Sequence, residues 1–382
     1  MEENINEKYM QMAIELAKKG AGGVNPNPMV GAVVVKNGEV IGRGYHKFFG
    51  GSHAEVYALE EAGKEAEGAT IYVTLEPCSH YGKTPPCAKK IIDMGIKKCF
   101  IGSSDPNPKV AGRGVAMLKE AGIEVVENVL KEECDEINQV FFKYIKTKIP
   151  YLFVKCGITL DGKIALSNGI SKWITNSIAR EKVQYYRNKF MGIMVGINTV
   201  LTDNPSLTAR IEDGVNPFRI IVDPNLQIDE NCKVVKNNED GKTMIITSQK
   251  NLFTEDAENT EIQIKQKRLA EENKVKFIFI DGEKFSFRKM LEEIGKAGID
   301  SVLLEGGETL ISLAFEENVI DGGEIFIANK ILGDSSAKPF ISGFVREKME
   351  EAIQLTNVRN NIYGENVGME FYFKKYNEME QD

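Results

Sequence analysis

Ser52-His-Ala-Glu55, followed by Glu76-Pro-Cys-Ser-His-Tyr-Gly-Lys-Thr-Pro-Pro-Cys87, carries the chemistry on which the reading of this chain turns. One imidazole, His53, and two thiols, Cys78 and Cys87, can bind zinc tetrahedrally and leave a fourth position for water. Three protein ligands rather than four is the arrangement of a catalytic site. Glu55 stands two residues after His53. In mid-helix such a pair points to opposite sides; in a first turn both side chains reach the space above the N-terminus. Ser52 is a reasonable N-cap for that helix. Cys87 follows two prolines, which favour the first helical position, so the helix dipole is expected to stabilise a thiolate there. A cation so held lowers the pKa of bound water to roughly 7, and a carboxylate that is not a ligand can carry the proton. The plainer alternative is a structural zinc with His80 as fourth ligand, which leaves Glu55 without a task.

Working outward, residues 6–19 read as an amphipathic helix, with Tyr9, Met12, Ala13 and Leu16 on one face. Residues 30–36 and 39–43 read as strands joined at Asn37-Gly38, a strong hairpin signal. A helix over 53–62, a strand over 70–74, a helix opening near Pro85-Pro86, a strand around 99–102, a helix near 115–121 and a short strand at 123–126 follow. A helix from 131 to about 145 closes the set. This alternation predicts a layered α/β domain over residues 1–146. Lys146-Thr-Lys-Ile-Pro150 is short and polar and is taken as the boundary. Residues 150–382 form a second alternating set, with strands at 151–158, 192–195, 218–222, 243–247, 276–280 and 301–304. The charged, Asn/Gln-rich residues 248–275 read as a surface insertion.

The 382 residues, 42% hydrophobic and 27% charged, suit two globular domains and exclude a largely disordered chain. No apolar run approaches the ~20 residues of a membrane helix, and Met1-Glu-Glu-Asn4 does not read as a secretory signal; the expectation is a cytoplasmic protein. The formal net charge is −8, shared as −1 over residues 1–150 and −7 over the rest. Neither half has the positive excess of a nucleic-acid reader. Of the six cysteines, Cys78 and Cys87 stand apart, with prolines before them and a histidine nearby. No oligomeric state follows from the sequence; a homo-oligomer is compatible with it.

His-x-Glu followed by Pro-Cys and a further Cys resembles the zinc deaminases of the cytidine-deaminase superfamily. Nucleoside and tRNA deaminases space the two cysteines by two residues; here eight intervene, with Gly82-Lys-Thr-Pro-Pro-Cys87 among them. That spacing, with Asn25-Pro-Asn-Pro28, Val30-Gly-Ala-Val33, Gly44-Tyr-His46 and Asp105-Pro-Asn-Pro108, is similar to the deaminase half of the bifunctional riboflavin-pathway deaminase/reductases. The resemblance implies that Asn27, His46, Lys83, Asp105 and Asn107 line the substrate pocket. Lys83 and His46 would supply local positive charge for a phosphate. Turn chemistry alone would also account for the Asn, Asp and Pro clusters.

The second half lacks the Gly-x-Gly-x-x-Gly fingerprint of a dinucleotide-binding fold. Its ordered set resembles the reductase half of the same family: Lys155, Thr159-Leu-Asp-Gly-Lys163, Ser171-Lys-Trp-Ile-Thr175, Val195-Gly-Ile-Asn-Thr-Val200, Asp203-Asn-Pro-Ser-Leu207, Arg210 and Glu305-Gly-Gly307. The resemblance implies a dihydrofolate-reductase-like α/β domain that uses NADPH. Gly157, Trp173, Thr199, Asp203 and the turn Gly307, Glu308, Thr309 would face the cofactor; Lys155, Ser171, Arg187, Leu207, Arg210 and Glu305 would face the substrate. Trp173 as a core anchor and Arg187 as a solvated helix residue are the plainer alternatives. The whole then implies zinc-dependent deamination of a diaminopyrimidinone ribosyl phosphate, followed by NADPH-dependent reduction of its ribosyl group. The rival is a zinc nucleotide or tRNA deaminase with an unrelated second domain.

Overall fold

The computed structural model describes residues 2–81, 85–107, 111–255, 258–282 and 285–373, and the chain divides into two compact units between Thr147 and Lys148. The first unit contains α1 (Glu2–Lys18), β1 (Gly31–Lys36), β2 (Glu39–Tyr45), α2 (Ala54–Ala62), β3 (Thr70–Leu75), α3 (Cys87–Asp93), β4 (Lys98–Ser103), α4 (Arg113–Glu120), β5 (Glu124–Val126), α5 (Lys131–Ile137) and α6 (Gln139–Thr147). Its sheet runs β2-β1-β3-β4-β5, antiparallel as far as β3 and parallel beyond. The hairpin turns on Asn37 and Gly38, both at positive φ, the conformation that a two-residue hairpin loop asks for.

Period-two alternation splits these strands between two cores. Val33, Val35, Tyr72 and Phe100 pack on Tyr9, Met10, Ala13 and Ile14 of α1. Ala32, Val34, Ile71, Val73, Cys99 and Ile101 pack with Ala54, Ala58 and Leu59 of α2, Ala88 and Ile91 of α3, and Leu118 of α4. The result is a helix–sheet–helix sandwich. Helix α2 lies unusually close to β2: a Cβ on Gly42 or Gly44 would stand 2.1 Å from the carbonyl oxygen of Ala58 or Ala54. The single helix expected over 131–145 is two, interrupted at Asn138. That side chain accepts from the Met29 N–H at 2.8 Å and donates to the Met29 carbonyl at 3.0 Å. An Asn engaged in this way competes with helix propagation.

The second unit contains β6 (Tyr151–Ile158), β7 (Lys163–Ala165), α7 (Ser177–Lys189), β8 (Gly192–Gly196), α8 (Ile197–Asp203), β9 (Phe218–Val222), β10 (Thr243–Ser248), β11 (Lys276–Ile280), β12 (Ser301–Leu304), β13 (Gly322–Ile327), β14 (Lys338–Pro339), β15 (Arg359–Tyr363) and β16 (Asn366–Tyr372). Nine strands form one sheet, β11-β10-β9-β8-β12-β6-β13-β16-β15, while β7 and β14 pair separately. The first seven are parallel to one another, and β16 and then β15 are added by antiparallel pairings. Strands covered on both faces read as continuous apolar runs, as in Ile193-Met-Val195 and Val302-Leu-Leu304.

Residues 248–275 are not an insertion. Helix Glu261–Asn273, opened by a Thr260/Gln263 capping box, is the crossover between parallel β10 and β11, a connection that parallel pairing requires. Its polar face suggests a solvated loop, but Leu269 is fully buried. Leu269→Ala is therefore expected to destabilise the second unit by about 2–4 kcal/mol in urea unfolding; a neutral effect would restore the insertion reading.

Candidate active sites

The first turn of α2 brings the decisive side chains together. His53, rather than Ser52, is the N-cap, with extended backbone and no side-chain capping bond. Ser52 instead offers its carbonyl to His46 Nδ1 at 2.9 Å. His53 Nδ1 lies 3.2 Å from Cys87 Sγ and 3.6 Å from Cys78 Sγ. Among the described residues, His53, Cys78 and Cys87 are the His/Cys/Asp/Glu group whose ligand atoms all lie within 4.8 Å of one another. His80 borders the same cavity but stands outside that group, so a fourth protein ligand is not assembled.

Helix α3 begins at Cys87, with Pro86 as its N-cap rather than at the first helical position. The Cys87 N–H donates to Cys78 Sγ at 3.3 Å. The helix N-terminus thus reaches the Cys78 sulfur directly, through this N–H. A hydrogen bond from the Cys87 thiol, opposed by burial and joined by one from His53, draws Cys78 down to about 4. Cys87, on the proton-holding side of the pair, is pushed up. The Cys78 hydrogen bond lifts His53 to about 9 despite burial. These are proton-sharing donors that shed protons when a cation binds. The nitrogen and two sulfurs suit zinc. Glu55 is 3% exposed, its Oε2 is buried with no hydrogen-bond partner, and burial raises its pKa. A buried, unsatisfied carboxylate oxygen beside such donors fits a group that exchanges protons.

A cavity of about 340 Å³ joins His53, Glu55 and Cys78 to Asn27, His46, Asp105 and Asn107. Lys83 lies outside the described residues. His46 is buried, with Nε2 3.3 Å from Asn27 Nδ2, and burial pushes its pKa down. Burial thus works against the positive charge expected of it. Burial lifts Asp105 to about 6. Phe141, Ile145 and Glu76 also line the cavity and escaped the sequence reading. The first two form an i, i+4 apolar pair indistinguishable from a core face, and Glu76 is a motif residue given no task.

In the second unit a cavity of about 390 Å³ opens where β6, β8 and β12 end. Lys155, Gly157, Ser171, Trp173, Thr199, Asp203, Glu305, Gly307, Glu308 and Thr309 all line it, joined by Arg180, Asn198, Thr202 and Lys338, which the sequence reading did not single out. Arg187, Leu207 and Arg210 are not in its lining. Arg187 holds Glu305 through two hydrogen bonds of 2.8 and 2.9 Å, and Lys155 Nζ lies 3.6 Å from the same carboxylate. Its fork is filled by Glu305 rather than open to a phosphate. Leu207 is buried, and Arg210 is exposed, with its backbone N–H on Gln184 Oε1 at 3.0 Å. Trp173 is no core anchor: it is 69% exposed, with the Arg180 guanidinium 4.7 Å from its ring centroid. Gly307 caps helix Glu308–Glu316, and a Cβ there would meet only Thr199 Oγ1, at 4.0 Å. The space beside it belongs to the cavity, which suits an anionic group laid against a helix N-terminus.

Residues 3–103 match the model of the cytidine and deoxycytidylate deaminase zinc-binding region, and residues 150–365 that of the RibD C-terminal domain. The chain is 43% identical over 363 residues to riboflavin biosynthesis protein RibD of Actinobacillus pleuropneumoniae, covering 95% of this chain and 94% of that one. It is 35% identical to RibD of Escherichia coli K12, covering 91% and 94%. Two solved structures superpose with TM-scores of 0.84, each covering 97% of this chain and 99% of the other. These are Acinetobacter baumannii RibD, 35% identical, and a diaminohydroxyphosphoribosylaminopyrimidine deaminase/5-amino-6-(5-phosphoribosylamino)uracil reductase from Thermotoga maritima, 38% identical.

The Glu305 cluster makes the second unit's stability pH-dependent. Burial would raise the Glu305 pKa, but Arg187 and Lys155 override it and hold the carboxyl at about 2. Unfolded, it titrates near 4.5. Its contribution is therefore complete above about 4.5 and is lost as pH falls toward 2. Glu305→Gln leaves Arg187 buried beside a neutral partner and is expected to cost about 3 kcal/mol at neutral pH. Urea unfolding should show this gap narrowing at about pH 3.5; a gap that ignores pH would show that the carboxylate is not held by the pairing.

Proposed function

The chain belongs to the RibD family, the bifunctional deaminase/reductases of riboflavin biosynthesis, and from that premise we propose how its two units divide the chemistry. The first, residues 1–146, hydrolyses an exocyclic amine of a diaminopyrimidinone ribosyl phosphate. The second, residues 150–382, reduces the ribosyl group of the product to ribityl with NADPH. The observation that carries the first assignment is the unpartnered Oε2 of Glu55 beside the donors of His53, Cys78 and Cys87. A purely structural metal has no use for an adjacent proton carrier.

His53, Cys78 and Cys87 would hold one zinc per chain, which would supply Lewis acidity to a water molecule when bound. Glu55 accepts the proton of the attacking water and delivers it to the departing amine; burial, which raises its pKa, suits it to both directions. Asn27, His46, Asp105 and Asn107 orient the pyrimidine and ribosyl group, and Lys83 meets the phosphate. In the second unit Gly157, Trp173, Thr199, Asp203 and the turn Gly307, Glu308, Thr309 would hold NADPH, which would supply hydride when bound; the N-terminus of helix Glu308–Glu316 suits an anionic part of it. Lys155, Ser171 and Glu305 face the substrate, and Arg187 acts through Glu305. No helix of the described residues is long and apolar enough to cross a membrane, and a cytoplasmic location is the reading we adopt. A tRNA deaminase is disfavoured by the net charge of −8.

Glu55→Gln should retain zinc by metal analysis while deaminating orders of magnitude more slowly, with reduction of pre-deaminated substrate unchanged. Cys78→Ser should lose the metal. Near-normal deamination by Glu55→Gln would remove the carboxylate from the mechanism. A Cβ at position 307 meets only Thr199 Oγ1, at 4.0 Å, so Gly307→Val places its side chain in the cavity beside the helix N-terminus. Fluorescence titration should show its NADPH affinity reduced by roughly tenfold or more, as when anion–backbone contacts are lost. Unchanged affinity would place the cofactor elsewhere.

A further inference from the structure

We propose that Glu76 is a positioning residue of the deaminase site, anchoring the wall that carries Asp105 and Asn107 against the segment that carries Cys78. The inference rests on the reading that this wall touches substrate. Glu76 follows the last residue of β3 and is 4% exposed. Its backbone N–H reaches the Ser103 carbonyl at 2.9 Å, tying together the ends of the neighbouring parallel strands β3 and β4. Its carboxylate is surrounded by backbone donors. Oε1 accepts from Gly114 at 2.9 Å and Val115 at 3.3 Å; Oε2 accepts from Gly112 at 3.0 Å and Asp105 at 3.4 Å. Three of these donors belong to the start of α4, where N–H groups lack helical partners and the dipole favours an anion. The fourth is the Asp105 backbone at the cavity itself.

Packing argues the same point independently. A Cβ on Gly114 would stand 2.0 Å from the Pro77 carbonyl oxygen, so the first turn of α4 rests directly on the backbone between Glu76 and Cys78. One side chain therefore joins three parts: the strand end that leads to Cys78, the turn that presents Asp105, and the helix that closes the loop behind Asn107. Of the proposed metal donors, His53 caps α2 and Cys87 opens α3, so only Cys78 shares this joint, and the Cys87 N–H holds its sulfur from the other side at 3.3 Å. The substrate wall has the joint as its direct tie to that segment. A glutamine could not substitute, because an amide offers one acceptor oxygen and turns an NH₂ toward groups that are themselves donors.

The test uses the full chain, with zinc content and far-UV circular dichroism as the measure that the first unit is folded and the reductase step as the measure of intact protein in the second. Glu76→Gln should raise the deaminase KM by roughly ten- to a hundredfold, as for buried hydrogen bonds to a charged group. Turnover should fall by no more than about threefold, because the loss is in substrate binding rather than in the chemical step. Zinc content and reductase activity should be unchanged. Asn107→Ala is measured beside it. A raised KM in Asn107→Ala with unaltered kinetics in Glu76→Gln would overturn the positioning role while leaving the substrate wall in place. Unaltered KM in Asn107→Ala would instead overturn the reading on which the role rests. Loss of zinc from Glu76→Gln would mean that the residue serves the metal segment, not the wall. Should Glu76→Gln be insoluble, Glu76→Asp, which keeps the charge but withdraws it by one methylene, should show the same split at smaller amplitude; an unchanged KM there overturns the proposal.

Discussion

Helix α2 rests on strand β2 with so little space between them that the carbonyl oxygens of Ala54 and Ala58 stand where side chains at Gly44 and Gly42 would begin. The first residue of this contact lies in the same helical turn as His53 and Glu55. Any side chain on those strand positions would lift the helix and carry both residues away from Cys78 and Cys87, which stand on the segment that follows β3 and at the start of α3. Metal donors must converge within a few tenths of an ångström. A helix seated backbone-on-backbone is a stiff way to meet that demand, because no rotamer change can absorb a shift.

The two sites handle charge in opposite ways. In the first unit, burial and mutual hydrogen bonding leave protons poised among Cys78, Cys87, His53 and Glu55, so a small change in occupancy rearranges them. In the second, Glu305 is locked as a carboxylate between Arg187 and Lys155, and its protonation is insensitive to anything near neutral pH. The first arrangement suits hydrolysis, in which protons change hands. The second suits hydride transfer, in which the protein mainly holds geometry and field.

Much of the fold was legible because local chemistry and tertiary demand agree. The Asn37-Gly38 turn, the period-two strands β1 and β3, and the apolar run of β12 each specify one conformation from within. The failures arise where a distant partner decides. Nothing within residues 131–145 announces that Asn138 will leave the helix to clasp the backbone of Met29. The polar surface of Glu261–Asn273 hides its buried residues, Gln266 and Leu269. His53, Cys78 and Cys87 could be grouped from their donor chemistry alone, whereas Phe141 reaches the cavity only through the broken helix. Arg187 shows the same limit: an arginine on a helix signals an anion, but only the fold says that the anion is Glu305.

The strand order of the second unit also bears on how the chain is made. Strand β6 is the first of its sheet to be synthesised, yet its neighbours are β12 and β13. It must wait, apolar and unpaired, until residues 301–304 and 322–327 have left the ribosome. Meanwhile β8, β9, β10 and β11 can assemble in order as they emerge, each beside its predecessor. The first unit has no such delay, since every strand in its sheet lies within residues 31–126. Long-range parallel pairing is slow and leaves edges exposed. The nascent protein thus carries a finished first unit beside a half-built sheet, and β6 is the segment most in need of protection by a chaperone.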